Sequence, residues 1–90
     1  MTVYILTIIR MSNLSYDKNS FYIDSVFDSE EKAWNRIEEK FYDFLLAIFK
    51  NEYKIKAIYF KKRTLIVEYE NFIEDLYGCI KYNIDRHSVD

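Results

Sequence analysis

Phe27-Asp28-Ser29-Glu30-Glu31-Lys32-Ala33-Trp34, continuing to Phe49-Lys50, decides how this 90-residue chain folds. Asp28 or Ser29 is placed to accept a hydrogen bond from the free N–H groups of a first helical turn. Glu31 lies three residues after Asp28, where a carboxylate reaches back to the cap. Glu30 and Glu31 suit the positive end of a helix dipole, and Lys50 the negative end. Trp34, Ile37, Phe41, Phe44 and Ile48 then recur at steps of three and four, which makes one apolar stripe. Leu45 and Phe49 widen it. The spacing predicts one long helix over 29–50.

Strand signals lie on both sides. Thr2 to Met11 is rich in β-branched residues and apolar on both faces, as a strand central in its sheet is. Ser12 to Ser20 gathers Ser, Asn, Asp and Lys and reads as a polar loop. Phe21 to Phe27 alternates and runs into the helix cap; the short connection predicts an antiparallel pair with the first strand. Beyond the helix two readings compete for 53–70. In one, Tyr53–Phe60 and Thr64–Glu70 form a hairpin turned by Lys61-Lys62-Arg63, with Lys facing Glu across the strands. In the other, Leu65, Tyr69, Phe72, Ile73 and Leu76 form a helical stripe. β-branching at Thr64, Ile66 and Val67 favours the hairpin. A short second helix is expected over 71–77, closed by Gly78. Cys79 to Ile84 reads as a last strand, and Arg86 to Asp90 as a polar tail. The expected fold is α+β: an antiparallel sheet of four or five strands with one long helix on one face, in a single domain spanning 1–90.

Half of the residues are hydrophobic and 19% are aromatic, which suits a small dense core. The net charge of −2 supplies no global field toward nucleic acid or membrane. There is one cysteine, Cys79, so no internal disulfide forms, and a reducing cytoplasm is the expected location. No apolar run is long enough to span a bilayer, and the first residues lack the pattern of a signal peptide. With one glycine and no proline, glycine-rich phosphate loops are excluded. Cys79 and His87 are the soft metal ligands of the chain, too few for a closed zinc site. Cys79 reads as a small core residue and His87 as an exposed tail residue. Glu38, Glu39 and Asp43 read as a solvated helix face. Neither a catalytic residue nor a cofactor is expected.

Charge is unevenly placed. Residues 51–66 carry a net +4, from Lys54, Lys56, Lys61, Lys62 and Arg63 against Glu52, and residues 67–90 a net −4. The basic segment interleaves with Tyr53, Tyr59 and Phe60, a pattern that suits phosphate contact and base stacking. Cross-strand pairing of Lys and Glu that blunts a sheet edge is the favoured explanation, since neither an RNA-recognition signature nor a helix-turn-helix is present. Lys32, Arg36 and Lys40 recur every four residues, a like-charge row that costs roughly 0.2–0.5 kcal/mol per pair unless neighbours relieve it. The nine tyrosines are the best functional hint. Alternation cannot bury Tyr4, Tyr22, Tyr42, Tyr59 and Tyr82 together, and exposed tyrosine beside charge is typical of protein interfaces. Tyr4, Tyr22, Tyr59, Lys61, Lys62, Arg63 and Tyr82 are the candidate partner-binding residues.

Three fragments, Val3-Tyr4-Ile5-Leu6, Val26-Phe27-Asp28-Ser29-Glu30-Glu31-Lys32-Ala33 and Ile80-Lys81-Tyr82-Asn83-Ile84, resemble those of small bacterial and phage proteins built as strand, strand, Ser-x-Glu-x-Ala helix, strand. They cover about a quarter of the chain, and the family lends no catalytic residues. The Lys-, Asn-, Ile- and Tyr-rich composition is similar to that of phages of low-GC hosts. The resemblance implies a non-enzymatic binding module that inhibits a host protein, such as a defence nuclease, by occlusion, as anti-CRISPR proteins do. A nucleic-acid-binding protein using 54–63 and a homodimeric structural or regulatory protein are the alternatives.

Overall fold

In the computed structural model, residues 1–12, 20–50, 53–71 and 76–89 are described. Five strands form one sheet, and one helix packs on it. The elements are β1 (Thr2–Ser12), β2 (Ser20–Phe27), α1 (Glu30–Lys50), β3 (Lys54–Lys61), β4 (Thr64–Asn71) and β5 (Leu76–Ser88). The strand order is β2-β1-β5-β4-β3, and every neighbouring pair is antiparallel.

The helix starts one residue later than Asp28 capping would place it. Ser29 is the cap, its Oγ accepting from the Lys32 N–H at 3.2 Å, while Asp28 pairs with the Lys32 ammonium at 2.9 Å on the exposed surface. Ala33, Ile37 and Ile48 are buried, and Trp34, Phe41 and Phe44 are half-buried against the core. Ala33 lets the helix backbone approach the sheet closely. Phe49, expected to widen the stripe, is exposed.

The hairpin wins over the second helix. β3 and β4 pair from Lys54↔Glu70 to Lys61↔Thr64, and Lys62 turns the chain with φ 54°. Leu65, Val67 and Tyr69 alternate into the core. The short helix over 71–77 is not present as expected: Asn71 ends β4 and Leu76 and Tyr77 begin β5, while 72–75 lie outside the described residues, as do 13–19 of the expected polar loop. Gly78 is not a helix cap. It lies in β5 opposite Tyr69, and a Cβ there would stand 2.6 Å from the Tyr69 ring. The missing side chain gives that ring its seat against Phe44 (5.2 Å between centroids) and Tyr53 (5.4 Å). The expected polar tail is also strand: Arg86, His87 and Ser88 pair with Tyr4, Val3 and Thr2 of β1. Two long apolar strands lying side by side extend their ladder past the point where the side chains become polar.

The core is one cluster between α1 and the sheet, made of Leu6, Ile8, Ala33, Ile37, Leu65, Val67, Ile80, Tyr82 and Ile84. Polar contacts fix the helix at both sides. A bulge where Leu6 and Thr7 meet β2 turns Asp24 toward the helix. There, with its side chain 5% exposed, it accepts from Arg36 at 3.0 Å and faces Lys40 at 3.6 Å. In the row Lys32, Arg36, Lys40, the last two are thus relieved by a carboxylate from the sheet, with Glu39 adding a contact to Arg36 at 3.2 Å, and Lys32 by Asp28. At the other side, Arg63 of the β3–β4 turn reaches Glu30 at 2.8 Å.

A helix with its side chains is about 10–12 Å across, and five strands span about 19 Å between their outer axes. One helix therefore leaves part of its own face of the sheet open. α1 lies over β2, β1 and β5 and leaves a gap on the β3 side.

Two outcomes follow. Gly78→Ala should lower stability in urea by about 1–3 kcal/mol, because the seated Tyr69 ring must shift. Burial opposes ionisation of Asp24 most strongly, but the bonds from Ser25 and Arg36 and the charges of Arg36 and Lys40 together outweigh it and hold its carboxyl below the ordinary value of 3.8. A depressed folded value means stability present above the unfolded value and lost as pH falls through the folded one. Asp24→Asn should cost about 1–3 kcal/mol at neutral pH, and the gap should start to close as the pH falls below the ordinary value of 3.8 and vanish only below the depressed folded value.

Candidate interaction surface

The sheet face away from α1 has no covering layer among the described residues. Strand parity decides what stands on it. From β1 come Val3, Ile5, Thr7, Ile9 and Met11, which alternate with the helix-facing Leu6 and Ile8. From β2 come Phe21 opposite Ile9, Ile23 opposite Thr7, and Val26 opposite Ile5. The β2 bulge keeps this set in phase while sending Asp24 the other way. Phe21, Ile23 and Val26 are 70%, 61% and 57% exposed, and Met11 is exposed beside them. Together they make an apolar strip along β1 and β2, and none of its members is charged.

The rest of the face is mixed, with Ile66, Tyr59 and Ala57 among polar and charged residues. Thr7 and Thr64 flank Asn83 in register, and the Thr64 hydroxyl donates to Asn83 Oδ1 at 2.7 Å. Beyond them stand Lys81, Asp85, Glu68 and Glu70. A shallow hollow of about 490 Å³, lined by residues including Met11, Lys56, Glu68, Tyr77 and Cys79, lies at one end. Burial, with the Glu68 charge adding, pushes the Cys79 thiol up, which makes it a poor nucleophile. Cys79 and His87 stand eight positions apart on β5 and do not meet. No group of three or more metal-ligating side chains forms among the described residues.

The candidate residues separate into different environments. Tyr82, one of the expected contact residues, is 1% exposed, level with Ile8 and Leu65 in the core, and burial raises its phenol far above the usual range. It has no surface to offer a partner in this fold. Its parity with Ile80 and Ile84 was a signal in the sequence that it belongs with them. Tyr4 is half-buried against the core, and Tyr22 is exposed but on the helix side, opposite Ile8. Arg63 is held by Glu30. Tyr59, Lys61 and Lys62 are exposed together at the β3 end of the sheet, where Tyr59 pairs in register with Ile66. Of the four tyrosines proposed for contact, Tyr59 alone lies on the open face. Uncharged apolar exposure on the open face lies instead at Phe21, Ile23 and Val26.

The basic segment is partly neutralised within the hairpin. Lys54 stands opposite Glu70, and the second bulge of the sheet, between Ile55 and Ala57, brings Lys56 beside Glu68 at the rim of the hollow.

No helix among the described residues is long and apolar enough to cross a membrane. Comparison with protein-family models, with curated proteins and with solved structures finds no match.

Side chains kept for contact rather than folding should be removable at little cost. Phe21→Ser and Ile23→Ser should each change unfolding free energy by less than about 0.5 kcal/mol, whereas Ile37→Ala should cost about 2–5 kcal/mol. Urea denaturation of the three variants measures the contrast.

Proposed function

We propose that this protein is a non-enzymatic protein-binding module that acts by laying the β1–β2 strip of its open sheet face on a partner. The observation that carries the reading is the contiguous exposure of Phe21, Ile23 and Val26 beside Ile5 and Ile9. Monomeric proteins rarely leave such patches uncovered unless the patch binds something. The strip has the composition of an interface core, with charge kept to its rim at Lys81 and Asp85. Occlusion of a partner's surface needs no chemistry from this chain. The narrower form of the reading, a phage-encoded inhibitor covering a host enzyme, rests on the composition and the sequence resemblance.

The reading is tested by tagging the protein and a Phe21→Asp, Ile23→Asp variant and capturing binders from a bacterial lysate, with sizing of both proteins alone. A captured protein, or self-association, that falls at least about ten-fold in the variant is expected. Equal capture by both forms, or no capture together with a monomeric wild type, overturns it.

A further inference from the structure

The second edge of the sheet is built differently from the first. β3 is the outermost strand, with no strand beyond it among the described residues. From Ala57 to Lys61 its register with β4 is regular, so alternate residues turn backbone N–H and C=O groups outward. On the helix side, Ile58 and Phe60 are 45% and 72% exposed, although they occupy core-facing positions opposite the buried Val67 and Leu65. They stay exposed because α1 covers them only in part, with Trp34 beside Phe60. The gap is a groove of about 310 Å³ between Trp34 and Phe41 of the helix and Ile58, Phe60 and Leu65 of the sheet. Trp34 and Phe60 stand 6.3 Å apart across it, ring centre to ring centre. On the opposite side of the same strand stand Tyr59 and Lys61, and Lys62 follows in the turn. Lys61 faces Thr64 rather than an acid across the hairpin.

We propose that β3 is a docking edge for an extended segment of another protein in which apolar residues alternate with acidic ones. The segment adds as a sixth strand beside Ala57–Lys61. Its backbone takes up the outward N–H and C=O groups, as in other recognition by strand addition. Strand geometry sends its side chains alternately to the two faces. One set enters the groove against Trp34 and Phe60. The other set lies beside Tyr59 and Lys61, where carboxylates meet the lysine directly across the new ladder. Glu38 on the helix wall of the groove disfavours an acid in the apolar positions, which fixes the phase of the alternation. A second copy of this chain is the wrong occupant, because β3 carries no carboxylate that a second edge could set beside Lys61. The surface is separate from the β1–β2 strip, and the inference does not depend on it.

The probes are two short capped, fluorescently labelled peptides, one alternating leucine with glutamate and one alternating leucine with lysine. Their binding to the full chain is read by fluorescence anisotropy, and the contacted residues by backbone amide shifts. The glutamate peptide should bind at millimolar concentration or tighter, perturb amides in 57–61, and bind at least about ten-fold better than the lysine peptide. Phe60→Ser, at an exposed position, should weaken it at least about ten-fold with the fold intact. Lys61→Glu should weaken it roughly five-fold and improve binding of the lysine peptide. Phe21→Asp should leave it unchanged. No binding of the glutamate peptide overturns the inference and leaves the lysines as a guard of the edge. Equal binding of both peptides, or loss of binding in Phe21→Asp but not in Phe60→Ser, overturns it as well.

Discussion

The width of one helix is the constraint from which the rest of this molecule follows. Five strands offer two faces, each wider than a helix, and the described residues supply one helix. α1 is held over β2, β1 and β5 by its apolar stripe and by two polar ties, Asp24 to Arg36 and Lys40, and Arg63 to Glu30. Those ties settle where the cover lies and therefore where it does not. The uncovered parts are the far face along β1 and β2 and the strip of the near face beside β3. Both hold residues of types that usually enter cores, and both lie at an edge strand.

The two edges handle exposure in opposite ways. β3 carries lysine at both ends and a bulge near its start, the features that keep an edge from pairing with copies of itself. β2 has no lysine between Ser20 and Phe27, and its bulge turns its one acid inward to the helix. The Asp24 bulge does two jobs at once. It anchors the helix, and it keeps Phe21, Ile23 and Val26 in phase on the open face. Loss of that extra residue would shift part of β2 by one position and exchange its faces. Stability and the exposed apolar strip are coupled through this local irregularity.

The candidate residues also show how burial divides one residue type. Tyr82 is sealed inside, Tyr4 is partly covered, and Tyr22, Tyr42 and Tyr59 remain exposed. The ring of tyrosine tolerates all of these positions. Counting tyrosines thus did not point to the exposed apolar strip of β1 and β2. Phe21, Ile23 and Val26 carry a clearer signal, because large apolar groups outside a core lack any polar tip to place in water.

The sequence by itself determined what depends on neighbours along the chain. The three-four spacing from Trp34 to Ile48 defines the helix. Alternation defines β2, β4 and the hairpin, and the double-sided apolar character of β1 defines an inner strand. Only the tertiary structure decided what depends on which strands lie side by side. The β1–β5 ladder drew Arg86 to Ser88 into the sheet, and the Tyr69 ring gave Gly78 its reason. The placement of β5 in the middle put Tyr82 in the core, and the Asp24 bulge set the phase of β2. These are contacts between residues distant in sequence, and no local pattern encodes which strand becomes an edge or how far one helix reaches across a sheet.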